Sequence, residues 1–165
     1  MSVPVRDRSE SPVEFLAVGA QIRVEVLSYC MKLPKRLTFF IGTDTMAHAN
    51  AVAGETRAAN SIYVTNRAEA RERRLCLVRA NNALQRLDGN LGTIRDYLMK
   101  NPEIFAEGMK AETDEQKRER EKKIRKAKKR VDNATRKISS LINREAELIK
   151  GVKDSDHKRY KNLPE

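Results

Sequence analysis

From Leu77 to Leu98 an apolar residue falls at every third or fourth position: Leu77, Ala80, Leu84, Leu87, Leu91, Ile94 and Leu98. That a/d spacing, held over about three heptads, keeps apolar side chains on one side of an α-helix. The residues between are mostly polar, among them Arg79, Asn81, Gln85, Arg86, Asp88, Asn90, Arg95 and Asp96. The pattern predicts a helix from about Arg67 to Lys100 that needs partner helices to cover its stripe. Asn66, with Glu69 three residues on, reads as its N-cap and capping-box partner. Asn101-Pro102 stops it, and Gly89 and Gly92 mark where its last third would bend or loosen.

The rest of the chain supplies the partners. A first helix is expected from Pro12 to Leu33, capped by Ser9 or Ser11, with Glu14 three residues after Ser11. Leu16, Ala20, Val24, Leu27 and Met31 form its stripe, and Phe15, Ile22, Val26 and Tyr29 widen it. A helix apolar on most of its surface either lies deep in a bundle or faces another subunit. Pro34 ends it in the basic turn Leu33-Pro34-Lys35-Arg36. A second helix follows from about Phe39 through Tyr63, with the inner face Met46, Ala49, Ala53, Thr56, Asn60 and Tyr63. Small residues there let backbones approach closely; Gly54 marks either a close crossing or a tolerated glycine.

Beyond a linker over residues 101–113, Thr113 or Asp114 starts a very polar helix. Ile124, Ala127, Val131, Ala134, Ile138, Leu141, Leu148 and Val152 recur at heptad spacing, with Glu145 interrupting. Lys117–Arg130 is almost entirely charged, so it either extends into solvent or becomes ordered on a partner. Val131–Val152 is apolar enough to serve as a fourth bundle helix. Domain organisation is then a flexible arm (1–11), three bundle helices (12–100), the linker, a charged fourth helix (114–153) and a disordered tail (154–165). Four helices with short connections predict an all-α, up-down-up-down four-helix bundle with a long charged C-terminal helix.

Composition agrees. Glycine and proline are scarce, and 5% aromatic content in 165 residues predicts an aliphatic, alanine-rich core. The net charge of +11 attracts polyanions such as RNA, DNA or acidic membranes, or else marks a well-solvated basic bundle. Cys30 and Cys76 sit in apolar helical patterns and read as buried thiols of a reducing cytoplasm. The polar start, with no signal peptide visible, and the lack of any apolar run of roughly 18 residues also predict a cytoplasmic protein without a membrane partner.

Catalytic chemistry finds little support. His48 and His157 have no metal-ligand spacing around them. Gly89-Asn90-Leu91-Gly92 lacks the lysine of a phosphate loop, and Glu69 and Glu72 stand among arginines as ion-pair partners. No catalytic residue, metal or cofactor is expected. The cations are more informative. Arg67, Arg71 and Arg74 recur at i, i+4, i+7 on one helix face, flanked by Arg73 and Arg79; Lys35 and Arg36 sit in the first turn. A further field holds Lys122, Lys123, Arg125, Lys126, Lys128, Lys129 and Arg130. Such clusters favour phosphate-backbone contacts through counterion release. The alternatives are a solvated helix balanced by Glu115, Glu119 and Glu121, and carboxylate bridges to neighbouring helices for Arg71 and Arg74.

Several short pieces occur together in order: Met1-Ser2-Val3-Pro4 with Arg8-Ser9-Glu10-Ser11, then Leu33-Pro34-Lys35-Arg36, then Ala59-Asn60-Ser61-Ile62-Tyr63-Val64, then Arg73-Arg74 opening a leucine-rich helix. Over residues 1–100 this set resembles the Avd-like bundles of bacteria and phages, the accessory variability determinants of diversity-generating retroelements. The resemblance implies a basic bundle that forms a barrel-like homopentamer. It also implies binding to a reverse transcriptase and template-repeat RNA, in support of mutagenic complementary-DNA synthesis, without polymerase activity of its own. It assigns basic contacts to Lys35, Arg36, Arg73 and Arg74. The chain departs from that pattern in its last helix, which is highly charged and lacks the family's usual tryptophan. A helical scaffold of a phage or mobile element, acting by protein–protein assembly, is the alternative.

Overall fold

A computed structural model describes residues 11–164 of the chain. The expected N-terminal arm lies outside them except for Ser11, which opens the first helix. Four helices follow in order: α1 (Ser11–Cys30), α2 (Thr43–Ser61), α3 (Arg67–Lys100) and α4 (Asp114–Arg159). No strand occurs among the described residues, and none of their helices is long and apolar enough to cross a membrane.

Helix α3 has the expected bounds because both ends are chemically fixed. Asn66 Oδ1 accepts from the Glu69 amide at 3.0 Å. The Glu69 carboxylate reaches back one residue past the cap, to the Thr65 amide and hydroxyl, each at 2.7 Å, and these bonds lower its pKa. All seven stripe residues from Leu77 to Leu98 are buried. Gly89 and Gly92 leave the helix continuous.

Helix α1 corrects the expected phase. Phe15, Val18, Ile22, Val26, Tyr29 and Cys30 face the core. Val24, Leu27 and Met31, assigned to the buried stripe, are 61%, 48% and 77% exposed. The helix ends at Cys30 because Lys32 and Leu33 tighten into i→i−3 bonds ahead of Pro34, which disfavours helical geometry at the residue before it. Chain direction then reverses through a helical turn (Lys35–Leu37) and a π-helical turn (Thr38–Gly42). The wider turn buries Gly42, whose carbonyl accepts from Cys30 Sγ at 3.6 Å, and leaves Phe39 and Phe40 in solvent. Helix α2 buries Thr45, Ala49, Val52, Ala53, Thr56 and Ala59. Asn60 and Tyr63, expected on its inner face, are exposed, because the helix stops at Ser61 and Ile62 is extended.

Between α3 and α4 a 3-10 turn (Pro102–Ala106) leads to Gly108, whose φ of +80° favours glycine. A capping box between Thr113 and Gln116 opens α4, which runs for 46 residues, about 69 Å. Its charged first part packs Ile124 and Ala127 in half-buried positions, and Arg120 pairs with Glu103 of the 3-10 turn. The expected disorder after residue 153 is corrected: α4 is helical to Arg159. Val152 is buried, Asp156 pairs with Arg73 at 2.7 Å, and the Leu163 and Pro164 carbonyls accept from Arg67.

Each helix packs on its neighbour in the chain, and α4 closes back on α1. The cross-helix pairs are antiparallel. Early α2 meets late α3 through Asp44–Asn90 at 2.8 Å, and late α2 meets early α3 through Ala59–Arg73 at 2.7 Å. Asp88–Ser139 and Arg73–Asp156 relate α3 to α4 in the same way, as do Glu25–Lys137 and Glu14–Arg144 for α1 and α4. Glu145 does not interrupt the α4 stripe. It occupies a core position in register with Ile138, Ile142, Ile149 and Val152, fully buried, with neither carboxyl oxygen hydrogen-bonded. Burial pushes its pKa up to about 8, and the nearby Glu14 carboxylate adds to the rise.

Candidate nucleic-acid interface

Because α3 and α4 run antiparallel, the N-terminal turns of α3 meet the C-terminal turns of α4. Arg67, Arg71 and Arg74 share one face of α3 through their i, i+4, i+7 spacing. Lys153 and His157 come from α4, and Lys161 from the residues just past it. Together with Ala70, Leu77, Asp156 and Tyr160 they line a shallow cleft of about 190 Å³. Arg71 and Arg74 are exposed and form no ion pair among the described residues. Arg67 is held in place, its Nε donating to the Leu163 carbonyl at 3.0 Å.

Among the described residues, the one carboxylate lining the cleft is already matched. Arg73 Nε donates to Asp156 at 2.7 Å, and Arg73 Nη1 donates to the Ala59 carbonyl at 2.7 Å. This guanidinium ties together α2, α3 and α4, and its side chain is 12% exposed. Arg73, grouped with Arg74 as a nucleic-acid contact, is therefore committed to the bundle. Its neighbour Arg74 faces the cleft. The expected alternative for Arg71 and Arg74, a carboxylate bridge between helices, is the role that Arg73 fills.

The remaining cations lie elsewhere. Arg79 is exposed but outside the cleft lining. Lys35 and Arg36 are at the opposite end of the bundle, on the rim of a second cleft. Lys122, Lys123, Lys126, Lys129 and Arg130 are exposed along α4 and pair with no carboxylate among the described residues. Glu115, Glu119 and Glu121 do not neutralise them by direct contact. Thus, Arg73 and Arg79 apart, the sequence-assigned cations form three fields: the α3/α4 cleft, the α1–α2 turn and the solvent face of α4.

Sequence reasoning missed Lys153, His157 and Lys161 as partners of Arg71 and Arg74. The signal was present: carrying the α4 stripe past Val152 by one turn reaches Asp156, the partner of Arg73. Chemically, several cations converge on a cleft whose only acid among the described residues is spent internally, an arrangement suited to phosphates and to their bidentate contacts with guanidinium. Compared with protein-family models, curated proteins and solved structures, the chain finds no match.

Proposed function

We propose that this chain is a non-catalytic, polyanion-binding bundle, and that it serves as the accessory subunit of a diversity-generating retroelement, binding template RNA and the element's reverse transcriptase in the cytoplasm. The observation that carries the polyanion part is the α3/α4 cleft, where Arg71 and Arg74 face outward while Arg73 neutralises the one acid that lines it among the described residues. The net charge of +11 supports it, since such a field draws in nucleic acid, RNA or DNA, at long range. The choice of retroelement, polymerase and pentamer comes from the resemblance over residues 1–100.

Self-association has its own support in the exposed Val24 and Leu27 on α1 and Met31 just past its end. The same apolar face favours the second reading, a helical scaffold acting by protein–protein assembly. One experiment separates the two: binding of a structured RNA across a salt series, with mass measured on the same sample. The proposal expects an oligomer whose log K falls linearly with log salt. Arg71→Glu with Arg74→Glu should lower that slope by about 1.5 and weaken binding. An oligomer that ignores RNA at low salt overturns it and leaves the scaffold.

A further inference from the structure

The second cleft, at the far end of the bundle, holds about 1060 Å³ and is assembled from the α1–α2 turn, the end of α3, the 3-10 turn and Arg120 of α4. Its rim carries Lys32, Lys35, Arg36, Lys100 and Arg120 against Glu103 and Glu107, and Glu103 is already paired with Arg120. Phe40 and Tyr97 line it while being 78% and 46% exposed. The π-helical turn is what places Phe40 outside the core, and Phe39 holds it edge-on, with ring centroids 5.4 Å apart at 81°. Exposed aromatic rings between lysines and arginines combine the two elements of a single-strand platform: faces on which unpaired bases stack, and cations that follow the backbone.

We propose that this cleft binds single-stranded nucleic acid, with bases stacked on Phe40 and Tyr97 and phosphates held by Lys35, Arg36 and Lys100. It deepens the polyanion reading and rests on it, adding a second site with a different selectivity. Two features favour a nucleic acid over an acidic peptide. The positive field does not end at the rim: beyond Arg120, α4 carries Lys122, Lys123 and Lys126, exposed and without carboxylate partners among the described residues. A long polyanion leaving the cleft therefore continues on cations, whereas a short acidic segment has no use for them. The exposed apolar residues of the lining, Phe40 and Tyr97, are both aromatic, which suits planar bases. A duplex keeps its bases stacked internally and cannot offer them to Phe40, so selectivity for single strands follows.

The test uses the full chain, an unstructured 20-nucleotide RNA and an RNA hairpin with the same number of phosphates. Phe40→Leu with Tyr97→Leu keeps the apolar bulk and removes the ring faces; unchanged circular dichroism and melting temperature certify the fold. The expected result is single-strand binding weakened by about tenfold or more, with hairpin binding unchanged. Arg71→Glu with Arg74→Glu should weaken hairpin binding with the platform intact. If the leucine variant binds single strands like the parent, the platform is wrong and the α3/α4 cleft stands. If the glutamate variant binds all RNA normally while the leucine variant loses single strands, the α3/α4 cleft is wrong and the platform stands. Polyglutamate binding that depends on Phe40 and Tyr97, without single-strand binding, assigns the cleft to an acidic peptide and overturns the proposal.

Discussion

At the scale of single residues, Glu145 is the most consequential side chain. A carboxyl group buried without a hydrogen-bond partner is held in its neutral form, and its pKa rises from the ordinary 4.5 to about 8. Folded Glu145 therefore holds its proton more tightly than the unfolded chain does. The stability it permits is fully present below pH 4.5 and is lost as pH rises through 8, by a total of about 5 kcal/mol. Gly19 of α1 marks how closely the group is enclosed: a Cβ there would stand 3.3 Å from Glu145 Oε1 and 3.4 Å from Thr56 Oγ1. The charged neighbours are Glu14 of α1 and its partner Arg144, adjacent to Glu145 on α4. Glu145→Leu should raise stability at pH 8 by a few kcal/mol, on the order of 3, and flatten its slope between pH 5 and 8. Urea melts of both proteins at the two pH values check this. An unchanged slope in the variant would show that the burial of Glu145 is not what sets it. The position was visible in the sequence as a gap in the α4 stripe, but a heptad with one acid in it has the same pattern whether that acid is expelled or enclosed.

At the scale of elements, legibility followed contrast. The α3 stripe alternates with Arg, Asn and Asp, so only one face can be the core, and the helix was readable from cap to stop. Helix α1 lacks that contrast. Leu16, Val24, Leu27 and Met31 are as apolar as Phe15, Ile22, Val26 and Tyr29, so composition could not decide which set faces inward. The end of α4 was illegible for a different reason. What holds it is the ion pair between Asp156 and Arg73, residues 83 apart in the chain, together with the Arg67 bonds to the Leu163 and Pro164 carbonyls. A local reading of residues 154–164 sees mostly polar and charged residues. Truncation after Val152 should accordingly act on α3 as well as α4. The melting temperature is expected to fall by about 5 °C, with faster amide exchange in the first two turns of α3. Exchange confined to the remaining end of α4 would show that these ties are incidental. The π-helical turn was equally hidden, since nothing in Thr38–Gly42 announces an i→i+5 bond, and with it went the second cleft.

At the scale of the whole molecule, the apolar face left outside the bundle is the feature that a lone chain does not explain. Val24 on α1 and Met31 just past its end are exposed, where contact with another copy would cover them. Val24→Glu with Met31→Glu should leave the fold intact, because neither side chain is in the core, and should shift the sedimentation profile to monomer. A monomeric parent protein, or an unchanged assembly in the variant, removes this face from any oligomer. The two clefts lie at opposite ends of α3. From Arg71 to Tyr97 the axis runs about 39 Å, a distance set by backbone geometry and not by flexible linkage. The helix is in effect a gauge. An oligonucleotide too short to reach from one cleft to the other engages them singly; one long enough to span that distance, with unpaired bases at the end that meets Phe40 and Tyr97, reaches both, and the second contact then forms at millimolar effective concentration. Apparent affinity would then step upward at a threshold length of the ligand, whatever its sequence, and the position of the step would report the length of α3.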